Sequence, residues 1–174
     1  MKILIIGHPG SGKTYTADLI SRKFGMEKVD IDILFDKHPF YALSKTMYRK
    51  ALGKLLLGKQ SWVIDGYHVG MMPDTLFAEA NLVIYLNLPK DELKQNILAR
   101  YSIKRANKEF SHWQSIYLNN LKNFGQIRFQ NGALNKDIVR IKELIANRDK
   151  FVELTSRKEI ANFLKSLRDT DWVK

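Results

Sequence analysis

The stretch GHPGSGKT, Gly7 to Thr14, decides how this chain is read. Its spacing is G-x-x-x-x-G-K-T, with Gly7, Gly12, Lys13 and Thr14 on the fixed positions. With glycine at about 7% of average usage, chance would place such a pattern in roughly one chain of this length in a hundred, so its setting must agree as well. The apolar run Ile3-Leu4-Ile5-Ile6 before the loop reads as a buried strand, and Ala17, Leu19, Ile20 and Phe24 after it recur at helical spacing. A strand, a glycine-rich turn and a helix form the arrangement that cradles nucleotide phosphates.

The residue types have physical reasons. Gly7, Gly10 and Gly12 allow backbone conformations that side chains block, so successive N–H groups can converge on one anion. The helix beginning near Lys13 adds unpaired amides and the positive end of its dipole. Lys13 supplies a mobile cation for the β and γ phosphates, and the Thr14 hydroxyl is placed to ligate Mg²⁺. The expected nucleotide contacts are Gly7, Pro9, Gly10, Ser11, Gly12, Lys13, Thr14 and Tyr15. His8 fills a variable position and reads as a solvated loop residue.

At 174 residues, 45% of them apolar, the chain fits one domain with a sizeable core. The absence of cysteine excludes disulfides and zinc-thiolate sites and suits a reducing cytoplasm. Apolar runs are too short for a membrane span, and the first of them ends in the glycine loop rather than a cleavage site. A soluble, cytoplasmic protein is expected. The net charge of +11 admits nucleotides, nucleic acid and acidic surfaces as partners, yet Lys and Arg are interleaved with apolar residues and form no basic block, which also suits a solvated surface.

Apolar runs at residues 2–6, 28–31, 62–64, 82–86 and 151–154 alternate with helical patterns at 13–24, 42–57, 90–104, 111–123, 134–147 and 157–167. This alternation predicts a doubly wound α/β domain with a parallel sheet. Ligands of such sheets collect at the carboxyl ends of the strands, and four of these positions carry suggestive residues. Asp30 and Asp32 follow the second strand; if the chain stays extended they share a face, where one can hold water around Mg²⁺ and the other accept the proton of an attacking hydroxyl, with Asp32 preferred for function, although either aspartate also suits a cap. Asp65, at the end of Val63-Ile64-Asp65 and beside Gly66, suits a Mg²⁺ carboxylate or a turn aspartate. Arg100, Lys104 and Arg105 form a cation cluster that can fold over phosphates or lie as a solvated helix face. Thr155 and Ser156 offer backbone groups to a purine edge and equally suit a helix cap.

Other patterns read as packing. Tyr41, Leu43, Met47, Leu52, Leu55 and Leu56 form one expected buried helix face, and Phe110, Trp113, Tyr117, Leu121 and Phe124 another.

Taken together, Gly7 to Thr14, Val29-Asp30-Ile31-Asp32, Trp62-Val63-Ile64-Asp65-Gly66, Leu82 to Pro89 and Arg100-Tyr101 followed by Arg105 resemble the DNA topology modulation protein (FlaR-related) family. That family is similar to the P-loop kinases related to adenylate and shikimate kinases. The resemblance covers most of the first 110 residues. It implies a three-layer α/β/α P-loop NTPase fold with a five-stranded parallel sheet in the order 2-3-1-4-5, an acceptor-binding helical region at about residues 36–60 and a lid at about 100–110. It also implies that Lys13 and the loop amides bind ATP, that Thr14 and Asp65 serve Mg²⁺, that Arg100 and Arg105 act from the lid, and that Asp32 faces the acceptor. This chain departs from related patterns in places. Tyr67-His68-Val69 follows the Asp-Gly turn where adenylate kinases have Phe-Pro-Arg, Gly66-Tyr67-His68 does not supply the glycine triplet of shikimate kinases, and Asn87 and Asn96 replace an acidic strand end and an extra arginine.

Two functions follow as expectations. One is a Mg²⁺-dependent, ATP-binding phosphotransferase acting on a small acceptor such as a nucleoside monophosphate or a hydroxyl compound. The other is a nucleotide-regulated DNA-binding protein, whose affinity for DNA would fall steeply with salt.

Overall fold

The computed structural model describes residues 1–31, 44–66, 69–106, 133–145 and 148–168. Its elements run β1 (Lys2–Gly7), α1 (Lys13–Phe24), β2 (Glu27–Asp30), α2 (Lys45–Leu56), β3 (Trp62–Gly66), α3 (Asp74–Glu79), β4 (Leu82–Leu86), α4 (Lys90–Ala106), α5 (Ala133–Leu144), β5 (Phe151–Leu154) and α6 (Arg157–Ser166). Single 3₁₀ turns occupy Val69–Met71 and Arg148–Lys150.

The five strands form one parallel sheet in the order β2-β3-β1-β4-β5. Every strand predicted from sequence is present, with β2 displaced one residue toward the N-terminus and β3 extended through Gly66. The helix expected at 111–123 lies outside the described residues. The six-residue helix α3 is not foreseen, because it is too short to display an apolar period of its own.

Strands buried on both faces read as unbroken apolar runs, and alternate residues serve opposite layers. Ile3, Ile5, Val63, Leu82, Ile84 and Leu86 pack with Ala17 and Ile20 of α1, and Phe163 and Leu164 of α6 pack against that cluster. Leu4, Ile6, Val29, Ile64, Val83 and Tyr85 pack instead with Tyr48 and Leu52 of α2, Phe77 of α3, and Ile138 and Ile141 of α5. A slip of β3 by one residue would carry Asp65 into this second, apolar layer, so the register is strongly specified.

The buried face of α2 differs from the one predicted. Tyr48 and Leu52 are buried and Leu56 packs against them, whereas Met47 and Leu55 are exposed. The reason is spacing: 48, 52 and 56 are each four residues apart and share one stripe, from which 47 and 55 are rotated away. Tyr41 and Leu43 of that predicted face, and the whole face from Phe110 to Phe124, lie outside the described residues.

Candidate functional site

The loop between β1 and α1 lies at the carboxyl edge of the central strand. Gly12 holds φ 87°, ψ 17° at the N-cap of α1, and no side chain caps the helix. The first intrahelical bond is from the Thr16 N–H to the Gly12 carbonyl at 2.9 Å. The amides of the first turn therefore have no intrahelical partners. Among the described residues, a Cβ added at Gly12 would meet nothing within 4 Å. Glycine is needed there for its backbone conformation, which costs other residues roughly 1–2 kcal/mol.

Gly10 is glycine for a second reason. Its φ is 82°, and a Cβ there would lie 2.6 Å from the Leu93 carbonyl oxygen of α4. The loop is thus pressed against the first turns of α4, where Asn96 Nδ2 donates to the Gly10 carbonyl at 2.8 Å. Ser11 is buried and its N–H donates to the His8 carbonyl at 3.1 Å. His8 corrects its sequence reading: at 6% exposure it is buried rather than solvated, and its carbonyl serves the loop. Pro9 is half-buried and Tyr15 exposed.

Lys13 is buried, and its ammonium donates to the same His8 carbonyl at 3.0 Å. Asp65 enters from the end of β3, paired in register with Ile5 on one side and Asp30 on the other. It is 1% exposed, and among the described residues one carboxylate oxygen has no hydrogen-bond partner. Burial pushes the Asp65 carboxyl up to about 6; the neighbouring Thr14 hydroxyl opposes this, the Asp30 charge adds to it, and Lys28 and Lys13 oppose it. A deeply placed carboxylate with an unused oxygen beside a buried ammonium and a helix N-terminus suits a cation and an anion held side by side.

Lys28 was missed by the sequence reading. Its ammonium donates to Asp18 of α1 at 2.7 Å. Burial disfavours the charge, yet the Asp18 bond and the fields of Asp65, Asp18 and Asp30 raise its pKa above the usual lysine value. The strand period contains the signal, since Lys28 and Asp30 alternate on the face that carries Asp65.

The other candidates are distributed differently. Arg100 stands exposed on α4, one turn beyond Asn96, and joins none of the hydrogen bonds at the loop. Arg105 lies within α4, extended to Ala106, with its side chain outside the described residues, as is Asp32. Thr155 and Ser156 resolve as a cap: Ser156 accepts from the Glu159 N–H at 3.2 Å, and the Glu159 carboxylate accepts from the Thr155 N–H at 2.7 Å. Asn87 bridges β4 and β5, accepting from the Tyr85 hydroxyl and donating to Glu153.

Among the described residues no group of three or more His, Cys, Asp or Glu converges as a metal cage. A divalent ion beside Asp65 and Thr14 would need further oxygens from water or a bound anion. Among those residues, too, no helix is long and apolar enough to cross a membrane.

No protein-family model matches the sequence. The chain is 33% identical to a protein of Sulfurisphaera tokodaii that carries the provisional name of adenylate kinase, over 48% of this chain and 39% of the relative. It is 25% identical to an adenylate kinase of Lawsonia intracellularis, over 70% of this chain and 63% of the relative. The matches therefore span less than two thirds of the length of either relative. A shikimate kinase of Acinetobacter baumannii, solved in complex with shikimate, superposes with a TM-score of 0.55 at 14% identity, covering 94% of this chain and 88% of that one. The strand order and this superposition establish the P-loop NTPase fold.

Proposed function

We propose that the chain is a kinase-type phosphotransferase that binds ATP at the Gly7–Thr14 loop and passes its γ-phosphoryl group to a small acceptor. The observation that carries this reading is the uncapped N-terminus of α1 with the buried Lys13 ammonium and, beside it, an Asp65 carboxylate oxygen that has no partner among the described residues. The relatives named adenylate kinase support the same class.

The amides of Gly10 and of Gly12 to Tyr15, with the Lys13 ammonium, would bind the β and γ phosphates, whose charge the helix dipole complements. Thr14 and Asp65 would hold Mg²⁺, which when bound offsets charge on the phosphate oxygens. Asp32 would accept the proton of the attacking hydroxyl, or position a phosphate acceptor through Mg²⁺-bound water. Arg100 and Arg105 would close as a lid over about residues 100–110 and exclude water, and the region of about residues 36–60 would carry the acceptor within a single domain. Adenylate kinase relatives favour a nucleoside monophosphate as acceptor, with Tyr67-His68-Val69 in place of the arginine turn making its recognition different in detail.

The test is ADP formation from Mg-ATP by wild type and Lys13→Ala, with nucleoside monophosphates, nucleosides, polyols and duplex DNA as additives. One small additive should stimulate turnover at least a hundredfold more in wild type than in the variant, while circular dichroism shows the same fold. Equal turnover in the two proteins overturns the assignment, and stimulation by DNA alone replaces it with a nucleotide-gated DNA-binding function.

A further inference from the structure

We infer that Asn96 is a positioning residue for the phosphate loop, held in its working orientation by Arg157. The inference rests on the phosphate-site reading above and deepens it.

The Gly10–Ser11 peptide is pinned at both of its polar ends. Its carbonyl accepts from Asn96 Nδ2 at 2.8 Å, and its N–H donates to the His8 carbonyl at 3.1 Å. In a trans peptide these two groups point in opposite directions within one rigid plane, so fixing one fixes the other. The His8 carbonyl also accepts from Lys13 Nζ at 3.0 Å. Asn96 is thus joined through a single peptide plane to the carbonyl that holds the loop's ammonium. Hydrogen bonds in such a chain polarise one another, most effectively where water is excluded, and both Ser11 and Lys13 are buried.

The orientation of Asn96 is itself determined. An amide has a donor end and an acceptor end that differ little in shape, and its neighbours decide which faces where. Arg157 Nη2 donates to Asn96 Oδ1, and Arg157 Nε donates to Glu92, one turn earlier on α4. A guanidinium can only donate, so it faces the amide oxygen and turns the NH₂ group toward Gly10. Close packing keeps this geometry in place, because Leu93 and Ile97 of α4 leave no room for a side chain at Gly10. Three segments far apart in the chain are coupled in this way: the loop after β1, the first turns of α4 and the start of α6.

Asn96→Leu keeps the approximate volume and removes both hydrogen bonds, whereas Asn96→Asp keeps the acceptor for Arg157 and replaces the donor with a charge that repels the Gly10 carbonyl. Both variants should weaken inorganic tripolyphosphate about tenfold by calorimetry, with adenosine affinity unchanged; Arg157→Ala should weaken it about threefold. Exchange of the Ser11 amide in the ligand-free protein should accelerate at least tenfold in Asn96→Leu while the amides of β1 stay protected. Unchanged tripolyphosphate affinity in both Asn96 variants overturns the inference, as does a loss confined to adenosine, which would make Asn96 a contact for the base. If wild type itself fails to bind tripolyphosphate, the phosphate-site reading falls, and unchanged Ser11 exchange then removes the positioning role separately.

Discussion

Two helices begin at the same carboxyl edge of the sheet, and their N-termini are finished in opposite ways. Helix α6 is closed by its own residues: Ser156 accepts from one amide of the first turn, and Glu159 reaches back to the Thr155 N–H. Helix α1 begins at a left-handed Gly12 with no side-chain cap and, among the described residues, nothing near the position a Cβ would take there. Each carboxylate near these termini records the difference. The backbone N–H of Thr155, followed by its hydroxyl, holds the Glu159 carboxyl below its usual value, whereas burial holds Asp65, beside Thr14, well above its own. A helix end that is already satisfied stabilises the fold, and one left unsatisfied retains binding capacity for an external ion.

The comparison breaks most severely at the glycines. Gly10→Ala should cost about 3 kcal/mol of stability in denaturant titrations, because its Cβ meets a backbone oxygen and its φ is positive. Gly12→Ala should cost only about 1 kcal/mol, since the strain is conformational and the space is clear, yet tripolyphosphate affinity should fall more than it falls in any α6 variant. Equal stability losses at the two positions would contradict the contrast between a packed and an open glycine.

A similar free energy is expected at Asp65, with a distinctive pH dependence. Its folded pKa of about 6 lies above the ordinary 3.8, so the stabilising effect of the shift is fully present below about pH 3.8 and is lost as pH rises through about 6. Asp65→Asn should therefore gain up to about 3 kcal/mol over wild type at pH 7.5, from roughly two pKa units at about 1.4 kcal/mol each, with the gap closing toward pH 4. A pH-independent difference between the two proteins would refute the burial of an ionised carboxylate. Mg²⁺-dependent binding of ATP should be lost in the same variant, a trade of function for stability.

The smallest effects belong to the closed terminus. Ser156→Ala should lower stability by about 1 kcal/mol through loss of the cap, with tripolyphosphate affinity unchanged. Glu159→Gln should act with the opposite pH sense to Asp65. Because the folded pKa of Glu159 is lowered, its contribution is present above the ordinary 4.5 and is lost as pH falls. Thermal midpoints of wild type and Glu159→Gln should differ at pH 7 and converge in acid; a difference that grows in acid would reverse the assignment of its partner.

Much of this architecture is local in origin and was legible without coordinates. The glycine spacing, the apolar strand before it and the helical period after it specify the loop, and the alternation of runs specifies a parallel sheet, because each depends on residues within one or two turns of one another. The placement of Lys13, Thr14 and Asp65 was legible for the same reason, each standing at the end of a strand or the start of a helix. Thr155 and Ser156 were ambiguous, since a cap and a ligand-facing loop use the same residue types. Tertiary structure alone decided that Asp65 is buried with an oxygen unpartnered among the described residues, and that Arg157 meets Asn96, 61 residues away, where Asn96 reaches the Gly10 carbonyl. Hydrogen-bond periods are written into neighbouring residues, but which distant donor reaches which carbonyl depends on how packed layers bring separate segments together.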